Sequence, residues 1–161
     1  MEKSNIWIFG NNVDTDQILP SQYLLLASVE DMKHYTFETL IPDFAKKIQK
    51  GDVIIAGENF GCGSSREQAP RVLKALGVKA VIAASFARIF FRNAINIGLP
   101  VIISKDARNA VNPGDQILLD LEMGIIKTKD RELSCTKLPE YMQNILNAGG
   151  LLELLNKEVV K

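Results

Sequence analysis

Residues 53–77 run VIIAGENFGCGSSREQAPRVLKALG. Val53-Ile54-Ile55-Ala56 is a continuous β-branched run of the kind found in strands buried on both faces. It delivers the chain into a glycine-rich turn, residues 57–63. Beyond the turn, Ala69, Val72, Leu73 and Leu76 recur at helical spacing and Gly77 stands where a helix C-cap belongs, so residues 65–76 are expected to be helical. The unit then repeats. Ala80-Val81-Ile82-Ala83 reads as a strand, residues 86–97 as a helix ended by Gly98, and Val101-Ile102-Ile103 as another strand. Strands alternating with helices predict a parallel sheet with crossover helices, an α/β fold.

Working outward, Ile6-Trp7-Ile8-Phe9 is a short strand ended by Gly10-Asn11-Asn12, and residues 11–17 read as a polar loop. Residues 28–50 are mixed in pattern, with a helix expected over 43–49 that Gly51 stops. The last third changes character. Residues 116–121 and 124–129 form a hairpin pattern and residues 132–136 add a strand, an antiparallel, β-rich appendage. Pro139 opens a final helical stretch that is interrupted at Gly149-Gly150 and resumes over 151–155.

A chain of 161 residues fits one domain, taken here as residues 1–161. Nineteen basic residues balance nineteen acidic ones, which removes the electrostatic case for nucleic acid or an anionic membrane surface. The N-terminus lacks signal-peptide character and no apolar run approaches the roughly 20 residues of a membrane span, so a cytoplasmic protein is expected. Cys62 and Cys135 are too few for a disulfide scaffold and too separated for zinc or iron–sulfur spacing. This chain therefore binds no metal of its own, and Cys135 reads as a small buried hydrophobe.

The chemistry concentrates in Gly61-Cys62-Gly63-Ser64-Ser65-Arg66-Glu67. The glycines let backbone approach a ligand closely, and a turn that opens a helix offers free N–H groups to an anion. Arg66 adds a planar fork of donors suited to a carboxylate. A plainer reading shares the same residues: Ser64 and Glu67 as a capping box. The two overlap, because a serine at a helix start beside a guanidinium, shielded from water, would have its deprotonated form stabilised. No Walker or dinucleotide-binding pattern is present, and His34 is the only histidine, so nucleotide binding and a Ser-His-Asp hydrolase are set aside. His34 itself reads as a surface or packing residue.

Three segments in this order resemble the small subunits of 3-isopropylmalate dehydratase, in the aconitase superfamily. They are residues 12–20 (NVDTDQILP), residues 61–67 (GCGSSRE) and residues 85–93 (SFARIFFRN). The resemblance covers nearly the whole chain. It implies a swivelling β/β/α domain, as in the aconitase C-terminal domain. It also implies a hydro-lyase that isomerises 2- and 3-isopropylmalate by dehydration and rehydration, in leucine biosynthesis. A separate large subunit would carry the [4Fe–4S] cluster, and this chain would act only with that partner. Carried over position by position, Ser64 resembles the base that removes the proton α to a carboxylate, and Ser65 and Arg66 the carboxylate binders. Asp16 matches an acidic position near the site, with Asp14, Thr15, Gly61, Cys62 and Gly63 supporting the loops. A plain Asx turn would also account for residues 14–16. Arg88, Arg92 and Asn93 read as structural or subunit-facing. One departure is Gln68, which stands where related sequences commonly have histidine; no catalytic duty is assigned to it.

In relatives of this kind the loop after Asp-Thr-Asp touches the substrate's variable group. Here it contains Leu24, Leu25 and Leu26, which suit an apolar substituent because a carboxylate unpaired among leucines is costly. The expected substrate is thus a branched malate. The alternatives are the small subunit of a 2,3-dimethylmalate dehydratase or homoaconitase, or a carboxylate-binding regulatory module that is no enzyme. Exposed apolar patches on a chain lacking its partner would favour self-association.

Overall fold

The computed structural model describes residues 1–160; Lys161, the last residue of the expected domain, lies outside them. Strand β1 (Ser4–Ile8) is followed by short helices α1 (Thr15–Ile18), α2 (Val29–Met32) and α3 (Phe44–Lys47) before β2 (Val53–Ala56). Helix α4 (Gln68–Ala75) leads to β3 (Ala80–Ala83), and α5 (Arg88–Asn96) to β4 (Val101–Ile103). Strands β5 (Gln116–Asp120), β6 (Ile125–Lys127) and β7 (Glu132–Ser134) precede α6 (Glu140–Ala148) and α7 (Leu151–Val159).

The strands form one mixed seven-stranded sheet in the order β4-β3-β2-β1-β5-β6-β7. Strands β1 to β4 pair in parallel, while β1–β5, β5–β6 and β6–β7 are antiparallel. This is the α/β fold with a β-rich appendage that the sequence pattern implies. The apolar runs are explained by cover on both faces. Ile54, Ala56, Val81, Ala83 and Val101 pack under Ala69, Val72 and Leu73 of α4 and Phe90, Ala94 and Ile95 of α5. The alternate residues Val53, Ile55, Ala80, Ile82 and Ile102 face Ala107, Val111, Ile117, Leu119 and Ile126. Successive parallel strands added on one side through right-handed crossovers keep their helices on one face, which leaves the other to the antiparallel strands.

Two elements differ from the sequence pattern in ways that shape the site. Residues 15–18 are a helical turn rather than open loop. Asp14 caps it, accepting from Gln17 N–H at 2.9 Å while the Gln17 side chain accepts from Asp14 N–H at 3.1 Å. Helix α4 begins at Gln68, three residues later than its apolar spacing suggests, and its N-terminus has no side-chain cap. Among the described residues, no helix is long and apolar enough to cross a membrane.

Candidate active site

Three chain segments meet at the carboxyl ends of parallel strands β1, β2 and β3, where open α/β sheets commonly bind ligands. Gly57 N–H donates to Gly10 O at 3.1 Å, and Ala84 N–H to Gly57 O at 3.0 Å. Phe60 N–H then donates to Ser85 O at 3.0 Å, and Ala87 N–H back to Phe60 O at 2.9 Å. These bonds stitch residues 10–15, 57–67 and 85–93 into one unit, which draws together parts of the three segments 12–20, 61–67 and 85–93 that the sequence marks out.

The 61–67 turn is held from below and from one side. Gly61 N–H donates to Val13 O at 2.7 Å, Thr15 N–H to Cys62 O at 2.9 Å, and the buried Thr15 hydroxyl to Ser64 O at 2.6 Å. Gly61 has φ +81°, and a Cβ there would stand 2.2 Å from the ring of Phe90. Only glycine allows that approach. Gly63, at φ +86°, lies over Asp14.

Arg66 does not reach freely into solvent. Its Nη1 donates to Asp16 Oδ1 and to Leu19 O, each at 2.9 Å, and the side chain is 15% exposed against 60% for Asp16. The Arg66 hydrogen bond, helped by Ser21 N–H at 3.1 Å, holds the Asp16 carboxyl below its ordinary value of 3.8. Asp16 thus orients Arg66 in this structure.

A cavity of about 230 Å³ opens beside the turn, lined by Thr15, Gly61, Gly63, Ser65, Arg66, Arg88, Phe90 and Asn93 among others. It is smaller than the roughly 300–1,000 Å³ of pockets for drug-sized ligands, which suits a small acid. Ser65 and Arg66 are brought to it as the motif implies. Arg88 and Asn93 are also there, where the sequence pointed to a structural or subunit-facing role, and Arg92 is not among its lining residues. Their signal lay in topology, since α5 starts after a connection of four residues, 84–87, from the carboxyl end of β3.

Ser64 differs from expectation. It is exposed, is not among the cavity-lining residues, and makes no cap: α4 starts four residues on, with Glu67 at the N-cap, so the Ser64–Glu67 capping box does not form. Among the described residues none buries Ser64. The stretch 64–67 is bend and turn rather than helix, with the Ser64 carbonyl taken by the Thr15 hydroxyl.

Leu24 and Leu26 are partly buried against the core, whereas Leu25 is 91% exposed; none of the three lines the cavity. Cys62 is half-buried, and burial, with the Asp14 charge nearby, pushes its thiol up. Cys135 is half-buried rather than fully buried, and both cysteines are free. His34 is exposed, and Gln68 is the half-buried first residue of α4.

The family model described as the Aconitase C-terminal domain matches residues 25–106, a span holding both the 61–67 turn and the 85–93 segment. An isopropylmalate/citramalate isomerase small subunit from Methanocaldococcus jannaschii is 51% identical over 161 residues, covering 99% of this chain and 96% of the relative. The chain belongs to the 3-isopropylmalate dehydratase small-subunit family. A 3-isopropylmalate dehydratase small subunit from Caldicellulosiruptor bescii is 50% identical, covering 95% of this chain and 93% of the relative. Among solved structures, a 3-isopropylmalate dehydratase from M. jannaschii superposes with a TM-score of 0.92 at 43% identity, covering 98% of this chain and 95% of that one. The swivel-domain fold implied by the sequence motifs is therefore the fold of the molecule.

The family implies an iron–sulfur cluster, and the donor set of this chain does not fit one. Its two cysteines lie apart, Cys62 in the turn that bridges to Asp14 and Cys135 packed beside Val53, Ile82 and Ile126, and no group of three His, Cys, Asp or Glu side chains is gathered among the described residues. The small-subunit names of its relatives imply a larger partner chain.

Proposed function

We propose that this chain is the small subunit of a hydro-lyase that interconverts 2- and 3-isopropylmalate by dehydration and rehydration, a step of leucine biosynthesis. The observation that carries it is the geometry of residues 61–67. Ser65 and Arg66 line a small-acid cavity, Asp16 fixes Arg66 from behind, and Thr15 holds the Ser64 carbonyl. The family names support the reaction class.

A [4Fe–4S] cluster, which this chain's donors do not hold, would on the large subunit supply Lewis-acid chemistry toward the leaving hydroxyl. The small subunit supplies the opposite side of the reacting bond. Arg66, preset by Asp16 and Leu19 O, grips one substrate carboxylate with the donors left to it, and Ser65 adds a hydroxyl. Ser64 takes the proton α to that carboxylate and returns it to the alkene on the adjacent carbon. A serine exposed in the isolated chain is a poor base, since its hydroxyl stays protonated far above neutral pH and water screens it from the nearby cation. Cover by the large subunit removes that water, so the Ser64 alkoxide gains from the nearby cation only in the complex. Asp14, Thr15, Gly61, Cys62 and Gly63 keep the turn in place.

Leu25 is the member of the leucine loop offered to a substrate substituent, and an apolar side chain there suits a branched malate over homocitrate. The M. jannaschii relative bears a name that also covers citramalate, whose substituent is a methyl group. That favours a second substrate of the same class on the same apolar loop. We take the chain as a single swivel domain, and the two free thiols support a reducing, cytoplasmic compartment.

The test is co-expression with the cluster-bearing large subunit under anaerobic conditions, followed by the absorbance of unsaturated intermediate from isopropylmalate, citramalate, dimethylmalate, citrate and homocitrate. Turnover of the branched malates, with loss of about 10²–10⁴-fold in kcat for Ser64→Ala, is expected. Near wild-type kcat in Ser64→Ala, or a preference for a tricarboxylate, would overturn the assignment.

A further inference from the structure

The cavity beside the 61–67 turn is lined by two arginines and by no aspartate or glutamate. The two are not equivalent. Arg66 already faces the Asp16 carboxylate, so that pair is close to neutral. Arg88, the first residue of α5, enters none of the ion pairs among the described residues and is exposed. The uncompensated positive charge of the cavity is that of Arg88. A malate-type acid brings two carboxylates, and one left unpaired on closure of the site would carry a heavy desolvation cost.

We propose that Arg88 is a second carboxylate-binding residue, holding one end of a dicarboxylic acid whose other end meets Ser65 and Arg66. Asn93, one turn further along α5 and on the same cavity wall, offers an amide to that end. The assignment rests on the dehydratase function for the identity of the acid. Arg88 is the cavity-lining arginine without a counter-ion among the described residues, and so the one suited to the acid's second carboxylate. A monocarboxylate should gain little from Arg88.

Two measurements test it. In the complex with the large subunit, Arg88→Gln should raise KM for 2-isopropylmalate about 10–100-fold, the range of a lost charge-assisted hydrogen bond, and Arg88→Lys should recover part of it. As competitive inhibitors, malate should weaken in Arg88→Gln while 3-hydroxybutyrate, which has a methyl in place of one carboxylate, should not. A purely structural role would weaken both acids in parallel, and that outcome, or a KM within about twofold of wild type, overturns the proposal. In the full-length chain alone, malate should shift the amide resonances of Ser65, Arg88 and Asn93, and Arg88→Gln should abolish the shift. Absence of any shift in the wild-type chain counts against Arg88. A wild-type complex that turns over none of the branched malates overturns the dehydratase assignment instead, and the amide shifts still decide Arg88.

Discussion

Thr15 and Ser64 stand 49 residues apart in sequence, and the threonine hydroxyl donates to the serine carbonyl at 2.6 Å. Thr15 is only 3% exposed, so this is a buried anchor for an exposed part of the site. Thr15→Val keeps the shape and removes the donor. Stability should fall by about 1 kcal/mol, a loss of about 2–4 °C in Tm. Activity in the complex should fall further than that stability change alone explains, because the turn loses its register. A calorimetric scan beside steady-state kinetics checks both, and unchanged kcat would mean that the bond does not position Ser64.

The two glycines of the turn should respond differently. Gly61→Ala meets the Phe90 ring at 2.2 Å and a φ of +81°, whereas Gly63→Ala shares the strained φ but meets Asp14 Cβ only at 3.3 Å. Gly61→Ala should therefore cost more, about 1–3 kcal/mol of overpacking beyond the backbone strain common to both. Equal denaturation midpoints for the two variants would contradict the close packing of the turn on α5.

Asp16 carries a pH signature. Its carboxyl is held below 3.8 by Arg66, so its contribution to the folded state is present above the unfolded value and is lost as pH falls through the lower, folded one. Asp16→Asn should remove that part of the acid dependence. Because Asp16 is 60% exposed, the effect should be small and should shrink with added salt. The larger consequence is functional, since Arg66 without its partner samples more orientations and KM should rise. Acid titrations of unfolding in wild type and variant, at low and high salt, test the first claim.

Leu25 offers a specificity test. Its side chain is 91% exposed, while Leu24 and Leu26 pack on the core. Leu25→Arg should shift kcat/KM toward homocitrate and away from isopropylmalate by about tenfold or more, with Tm little changed. Leu24→Arg should instead lower Tm. A Leu25→Arg complex with unaltered preference would detach this loop from the substrate.

Cys62 should behave as a protonated thiol at neutral pH, because burial and the Asp14 charge push it above its ordinary 9.0. Its alkylation by iodoacetamide should be slower than that of an unstructured thiol and should accelerate as pH rises past 9. Mass spectrometry of the modified peptide distinguishes it from Cys135, which is pushed the same way by burial.

How legible was this site in advance? The core strands followed from continuous β-branched runs and the two crossover helices from a 3.6-residue apolar period, signals that are local and strong. Residues 61–67 stood out because glycine, serine and arginine are crowded there between a strand and a helix. The helical turn at 15–18 also had a local signal, Asp14 with Gln17 three residues on, but Asp and Asn before a short apolar pair resemble a plain turn equally well. The three-residue delay of α4 had none. Apolar spacing reports which face of a helix is buried and says little about where its first turn begins.

By itself, then, the sequence determined the alternation of strands and helices, the antiparallel appendage and the glycine-rich turn between strand and helix, because hydrophobic pattern and glycine placement act over a few residues. Only the tertiary structure decided that Arg66 is paired with Asp16, that Ser64 lies open to solvent and that Arg88 shares the cavity. Those facts depend on which strand ends lie side by side. That adjacency is fixed by burial of both faces of the sheet, a property of the whole chain that no local run of residues contains.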